Sequence, residues 1–264
     1  MKKLTKRVSA LTAALLITAC TAGFAVSAED SDTYVYVTIS DGALEVAAKP
    51  VNVYDADSDG ALTINDALYC AHEAFYDGGV DAGYASAQSD WGLSLSKLWG
   101  IENGGSYGYY VNNASAMSLA DPVKSGDYVN AFVYTDTTAF SDKYCFFDDA
   151  YVSAVEGSDI TLTLNGAGYD ENWNPVTAPL AGAIITVDGA DTDYVTDENG
   201  SATITLDAGS HVISARSADT TLVPPVCTAE ISETAPQTSA GIMLALAGTL
   251  SMAGMIIGYK KHEN

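Results

Sequence analysis

Residues 104–134 read GGSYGYYVNNASAMSLADPVKSGDYVNAFVY, and the organisation of the first half of the chain turns on them. Tyr107, Gly108, Tyr109, Tyr110 and Val111 form a short aromatic run closed by Asn112-Asn113. Asn tolerates the left-handed backbone of a tight turn, so the run predicts a strand followed by a turn. Ser125-Gly126-Asp127 predicts a second tight turn, which delivers the chain into an aromatic strand over residues 128–134. Tyr107, Tyr109 and Tyr110 are candidates for a ligand surface, since an aromatic cleft there would suit a small molecule. The stretch 104–108 also spells G-x-S-x-G. A hydrolase elbow joins a strand to a helix, whereas this Ser precedes a strand, so no catalytic residue is assigned.

Upstream, residues 33–40 (TYVYVTIS) alternate Tyr34, Tyr36 and Thr38 with Val35, Val37 and Ile39, the pattern of a half-buried strand. Residues 45–54 predict a second, peripheral strand, marked as such by Pro50. Next comes Asp55-Ala56-Asp57-Ser58-Asp59-Gly60-Ala61-Leu62-Thr63-Ile64-Asn65-Asp66. It places side-chain oxygens at loop positions 1, 3, 5, 9 and 12, Gly at 6 and an apolar residue at 8. Alternate carboxylates converging on one hard cation are what a calcium loop needs, and the Gly permits its sharp bend. The expected ligands are Asp55, Asp57, Asp59, the backbone carbonyl of Ala61, Thr63 and Asp66. Ile64, Ala67, Leu68, Ala71, Ala74 and Phe75 then keep helical spacing up to Asp77-Gly78-Gly79. A bound calcium would fix a strand-to-helix junction, a structural role.

Asp at the twelfth position resembles the calcium loop of dockerin-type modules, here in a single copy. The tyrosine-rich strand, the Asn-Asn turn and Val123-Lys124-Ser125-Gly126-Asp127-Tyr128-Val129 resemble a bacterial domain of unknown function. That family is related to the C-terminal domain of transcobalamin and intrinsic factor. The resemblance covers about residues 33–136 and implies a β-grasp-like fold, with cobalamin or another small nutrient as the ligand it suggests.

Residues 150–232 carry short alternating runs at 160–164, 183–187, 193–196, 202–206, 211–215 and 226–231, parted by turns such as Asp197-Glu198-Asn199-Gly200. Such spacing predicts a β-sandwich. The stretch PLAGAIITVDG…TDENGSATITLDAGSHVISA resembles Ig-like or carboxypeptidase-regulatory-like stalk domains, which implies a spacer or binding module.

The two ends locate the protein. Lys2, Lys3, Lys6 and Arg7, an apolar run from Val8 to Ala25 and Val26-Ser27-Ala28 predict a signal peptide over residues 1–28. Ile17-Thr18-Ala19-Cys20 also fits a lipoprotein cleavage box. Residues 240–259 hold no charged side chain and precede Lys260, Lys261 and His262. Twenty uncharged residues at ~1.5 Å each span a bilayer's hydrocarbon core, so a transmembrane helix is expected, with 260–264 as its basic cytoplasmic tail. Ala235, Pro236, Gln237, Thr238 and Ser239 before it resemble a Gram-positive cell-wall sorting signal. That implies a sortase that cuts after Thr238 and joins the chain to peptidoglycan; a plain membrane anchor is the alternative.

Between the ends, residues 29–259 hold 33 of the 34 acidic residues and 5 of the 11 basic ones, a formal charge of −28. Such a surface repels nucleic acid and anionic lipid and attracts cations. Cys70, Cys145 and Cys227 are an odd number, so at most one disulfide can form. The expected fold class is an α+β β-grasp-like domain over 29–145, then an all-β Ig-like sandwich over 146–232. A linker with the sorting motif (233–239) and a C-terminal transmembrane helix follow. The function expected is non-enzymatic surface binding of a small molecule, glycan or protein; the alternative is scavenging of cobalamin or a similar nutrient.

Overall fold

Val35, Val37 and Ile39 are fully buried while Tyr34 and Tyr36 turn outward, so the alternation of the sequence becomes strand β1 (Thr33–Ser40). The computed structural model describes residues 33–102 and 104–233, and these are mostly β-sheet. Strand β2 (Leu44–Val53) pairs antiparallel with β1 as a hairpin, with Gly42 at φ 101° in its turn. Two register shifts interrupt the pair, and there Ala48, at φ 44°, donates its N–H to Thr38 Oγ1 at 3.1 Å.

Helix α1 (Ile64–Phe75) follows, then a single turn α2 (Gly79–Gly83). Next is a hairpin of β3 (Ala85–Ser89) and β4 (Gly92–Lys97), which leaves Trp91 81% exposed at its tip. β5 (Tyr107–Val111), the two-residue β6 (Ala114–Ser115) and β7 (Tyr128–Val133) complete the first sheet, ordered β2-β1-β7-β5-β6. Its central pair, β1 and β7, is parallel, with Val37 opposite Val129; its other pairs are antiparallel. A parallel neighbour requires a long crossover, and α1 lies in that connection. Ile64, Leu68, Leu98, Leu119 and Val129, all fully buried, close this core together with the inner face of β1.

The remaining strands are β8 (Lys143–Phe147), β9 (Tyr151–Val155), β10 (Ile160–Tyr169), β11 (Pro175–Pro179), β12 (Ile184–Val187), β13 (Ala190–Val195), β14 (Ser201–Ile204), β15 (Gly209–Arg216), β16 (Leu222–Val223) and β17 (Cys227–Ser232). They build two five-stranded sheets, β11-β10-β8-β16 with β14 also on β10, and β13-β12-β15-β17-β9. Leu164 and Ile204 from one sheet and Ile185, Ile213 and Cys227 from the other are fully buried in one shared core, as in a β-sandwich. β17 runs parallel to β9 and antiparallel to β15.

A third apolar cluster joins these sheets to the first one. Phe132 of β7 packs there with Tyr144 of β8 and Val223 of β16. The Tyr110 and Tyr144 rings stack with centroids 3.7 Å apart and planes 6° apart. Among the described residues no helix is long and apolar enough to cross a membrane. The expected signal peptide, the motif Ala235–Ser239, the 240–259 span and the basic tail lie outside the described residues.

Candidate functional site

The acidic loop occupies the connection between β2 and α1. Carboxylate oxygens of Asp55, Asp57 and Asp59 lie within 4.8 Å of one another, with Asp57 and Asp59 exposed. Backbone N–H groups hold them in place. Asp55 accepts from Asp59 N at 3.1 Å and Gly60 N at 2.9 Å, and Asp59 accepts from Ala61 N at 2.9 Å. The chain can curl this tightly because Ser58 (φ 61°) and Gly60 (φ 89°) adopt left-handed backbone. The Asp57 carboxyl is pushed above its ordinary pKa by desolvation first, then by the charges of Asp66, Asp59 and Asp55. A cation seated among these groups would reverse that repulsion. An all-oxygen donor set suits a hard ion of the calcium or magnesium kind rather than a thiolate- or imidazole-seeking one.

The other residues of the expected set lie nearer the helix. Asp66 is fully buried and accepts from Ala56 N (2.9 Å), Thr63 N (2.9 Å) and Thr63 Oγ1 (2.7 Å). Thr63 is the N-cap of α1 and forms a reciprocal capping box with Asp66. Thr63 and Asp66 therefore tie the loop to the helix, while the three exposed-side aspartates gather as a group. Ala61 sits on the exposed rim beside Asp59. A relay missed in the sequence also braces the loop: Tyr84 Oη donates to Asn65 Oδ1 at 2.7 Å, and Asn65 Nδ2 donates to Asp57 Oδ2 at 3.0 Å.

His72 is fully buried on α1. Its Nδ1 meets the Leu68 carbonyl at 2.6 Å and its Nε2 meets the Trp99 N–H at 3.1 Å. A carbonyl only accepts and an N–H only donates, so the ring is the neutral Nδ1–H tautomer. Burial lowers its pKa to about 4. Cys70, Cys145 and Cys227 are free thiols, all buried, and burial pushes Cys145 and Cys227 up to about 12.

The three tyrosines of β5 divide between its faces. Tyr107 and Tyr109 pack against the first core, and Tyr107 Oη lies 2.9 Å from the Ser96 carbonyl and 2.8 Å from that of Ile101. Tyr110 points to the other face and stacks on Tyr144. Even so, all three border one cleft of about 220 Å³, completed by Gly108, Ser115, Ala116, Tyr134 and Tyr169. Tyr134 and Tyr169 come from elsewhere in the chain, and no local signal pointed to them. Gly108 is required for packing: a Cβ there would sit 2.2 Å from Phe132 Cζ. The Asn112-Asn113 turn forms as expected, at φ 50° and 64°. It borders a second cleft, about 260 Å³, between the first sheet and the strands that follow it. Asn113 Oδ1 accepts there from Tyr144 Oη at 3.0 Å.

Compared with protein-family models and with curated proteins, the chain has no match.

Proposed function

We propose that this chain is a non-enzymatic binding protein displayed outside the cell, with a calcium-stabilised β-grasp-like head on an Ig-like sandwich. One observation carries the binding role. The cleft at Tyr107, Tyr109 and Tyr110 is lined by tyrosine, serine, alanine and glycine alone, which offers ring surface and neutral hydroxyls with no acid–base pair. The β2-β1-β7-β5 order with a parallel centre supports the β-grasp reading of the head. The Asp55, Asp57 and Asp59 group supports calcium as the stabilising ion. Sortase and peptidoglycan are the partners that the sequence at Ala235–Ser239 suggests, with membrane retention through residues 240–259 as the other mode of anchoring.

The second reading, a scavenger of a small nutrient, is favoured by the same aromatic cleft. A corrin ring far exceeds about 220 Å³, so the cleft fits a smaller ligand or only one edge of cobalamin. The test is a screen of the secreted chain against corrinoids, glycans and host matrix proteins, with and without calcium. Saturable binding that disappears in Tyr110→Ala and Tyr169→Ala variants is the expected result. Binding that survives both substitutions places the ligand elsewhere and ends this reading.

A further inference from the structure

The tyrosine cleft is assembled from both halves of the fold. Tyr110 comes from β5, Ser115 from β6 and Tyr134 from just beyond β7, while Tyr169 is the last residue of β10. Each ring is buttressed by another. Tyr110 stacks on Tyr144 at 3.7 Å, and Tyr134 meets the rings of Phe132 and Phe140 edge-on at 5.0 and 5.4 Å. Tyr169, 53% exposed, leans on Trp173, 80% exposed, at 6.1 Å. Tyr110 and Tyr134, held by their neighbours, lose little freedom when a ligand arrives. Trp173 stands at φ 62°, backbone that a bulky side chain rarely adopts, at an exposed bend where it covers no core.

Charge narrows the ligand class. No lysine, arginine or histidine lines the cleft, and Asp142 lies near enough to act on Tyr134. A phenol of ordinary pKa is already neutral at physiological pH, and burial moves that of Tyr110 further the same way, to about 12. Across residues 29–259, 33 acidic groups face 5 basic ones, and this field repels anions and concentrates cations. A small metal ion holds its water too strongly to exchange it for ring faces. An alkylammonium, with its charge spread over methyl groups, loses little water and is attracted by each ring's quadrupole.

We infer that this cleft binds a small organic cation, an alkyl- or trimethylammonium group, through cation–π contact with Tyr110, Tyr134 and Tyr169. The inference rests on the reading of the cleft as the ligand site and names the class of ligand. It also gives the second half of the fold a share in recognition, because Tyr169 and the Tyr144 buttress both belong to it.

The test titrates the calcium-loaded chain with choline, and with choline's uncharged isostere in which a tert-butyl group replaces trimethylammonium. Glucose serves as a neutral polyhydroxyl probe, and calorimetry and tyrosine fluorescence report binding. Choline should saturate the site, and the isostere should bind about 10-fold more weakly. Tyr169→Leu should weaken choline by about 3- to 30-fold at unchanged melting temperature, Tyr134→Leu should weaken it by a similar factor with some loss of melting temperature, and Tyr169→Trp should retain it. Equal affinity for choline and isostere, or binding of glucose alone, overturns the cationic assignment. If that binding still falls in Tyr169→Leu, the cleft remains a ligand site. No saturation by choline at millimolar concentration also overturns the inference. Ligands that bind the chain yet ignore every cleft variant end the reading of the cleft as well.

Discussion

Asn65, in the first turn of α1, donates its Nδ2–H to Asp57 Oδ2 at 3.0 Å. The acidic loop and the helix are thus one mechanical unit, and whatever steadies the loop steadies the helix docked on the first core. An ion bound only by the native state stabilises by RT ln(1 + [L]/Kd), about 2.7 kcal/mol at 100-fold excess over Kd. Calcium should therefore raise the first melting transition by several degrees and a chelator should reverse it. Magnesium should substitute poorly because it demands stricter octahedral geometry. Asp59→Ala should abolish the calcium effect. Identical calorimetric scans with calcium and with chelator would refute this.

The Thr63–Asp66 capping box should matter whether or not an ion is present. Thr63→Ala removes one cap and should cost about 1 kcal/mol. Asp66→Ala strands the buried Thr63 N–H and the half-buried Ala56 N–H that it accepts from, and should cost more, about 2–4 kcal/mol. Urea titrations with chelator present separate this loss from any loss of calcium; equal costs for the two variants would count against the assignment.

His72 sets a pH dependence. Its folded pKa is lowered by burial to about 4, below the ordinary 6.5. Above about pH 6.5 neither state is charged and the fold keeps its full stability. Between those values the unfolded chain takes up a proton that the folded ring refuses, so stability falls with pH. The loss from this group reaches about 3 kcal/mol near pH 4. His72→Gln should be less stable at neutral pH, yet should lack this component of the slope. Denaturant midpoints measured between pH 7 and pH 4 check it, and an unaltered slope in the variant would be the contrary result.

Gly108→Ala drives a methyl group into the Phe132 ring, a large side chain with no exposed path of retreat. Overpacking of this kind costs about 1–3 kcal/mol. The damage should appear at the aromatic cluster that joins the first sheet to the later strands, as altered near-ultraviolet dichroism and faster proteolysis between residues 134 and 143. Gly168→Ala, where an added Cβ meets nothing within 4 Å, is the matched control.

The proposed sorting motif at Ala235–Ser239 predicts a clean biochemical split. Wild-type chain on cells should be released by muralytic enzymes, and Thr238→Ala should shift it to the detergent-extractable fraction. Detergent extraction of the wild type would instead favour a plain membrane anchor.

Local rules sufficed where local forces decide. Strand β1 follows from Val35, Val37 and Ile39, the Asn112-Asn113 turn from the left-handed tolerance of Asn, and the acidic loop from spaced aspartates around Gly60. They failed where a partner decides. Within residues 83–101, β3 and β4 hold each other in place as a hairpin. Ala85–Ser89 holds no β-branched or aromatic residue and owes its extended form to β4, whose Leu93 and Leu95 face the core. Strand β16 is two residues long and exists only by pairing with β8. Asp66 satisfied the calcium pattern and a capping box at once, and only coordinates reveal which hydrogen bonds its oxygens make. Tyr169 joins the tyrosine cleft through the docking of one sheet against another, a relation that no spacing within the chain encodes.

The parallel pairing of β9 and β17 bears on how an anchored chain carries load. Were the chain held through its C-terminal tail, as proposed above, a pull from the first sheet would enter at β8, reach the N-terminal end of β9, and be opposed at the C-terminal end of β17. Because the strands are parallel neighbours, the two tensions run along them in opposite directions. The registered pairs from Tyr151–Thr228 to Val155–Ser232 are then sheared together instead of being unzipped one at a time. β15 grips the other edge of β17, so slippage must break hydrogen bonds on both sides. Rupture under such a pull is then governed by the forced unfolding rate of these sheets.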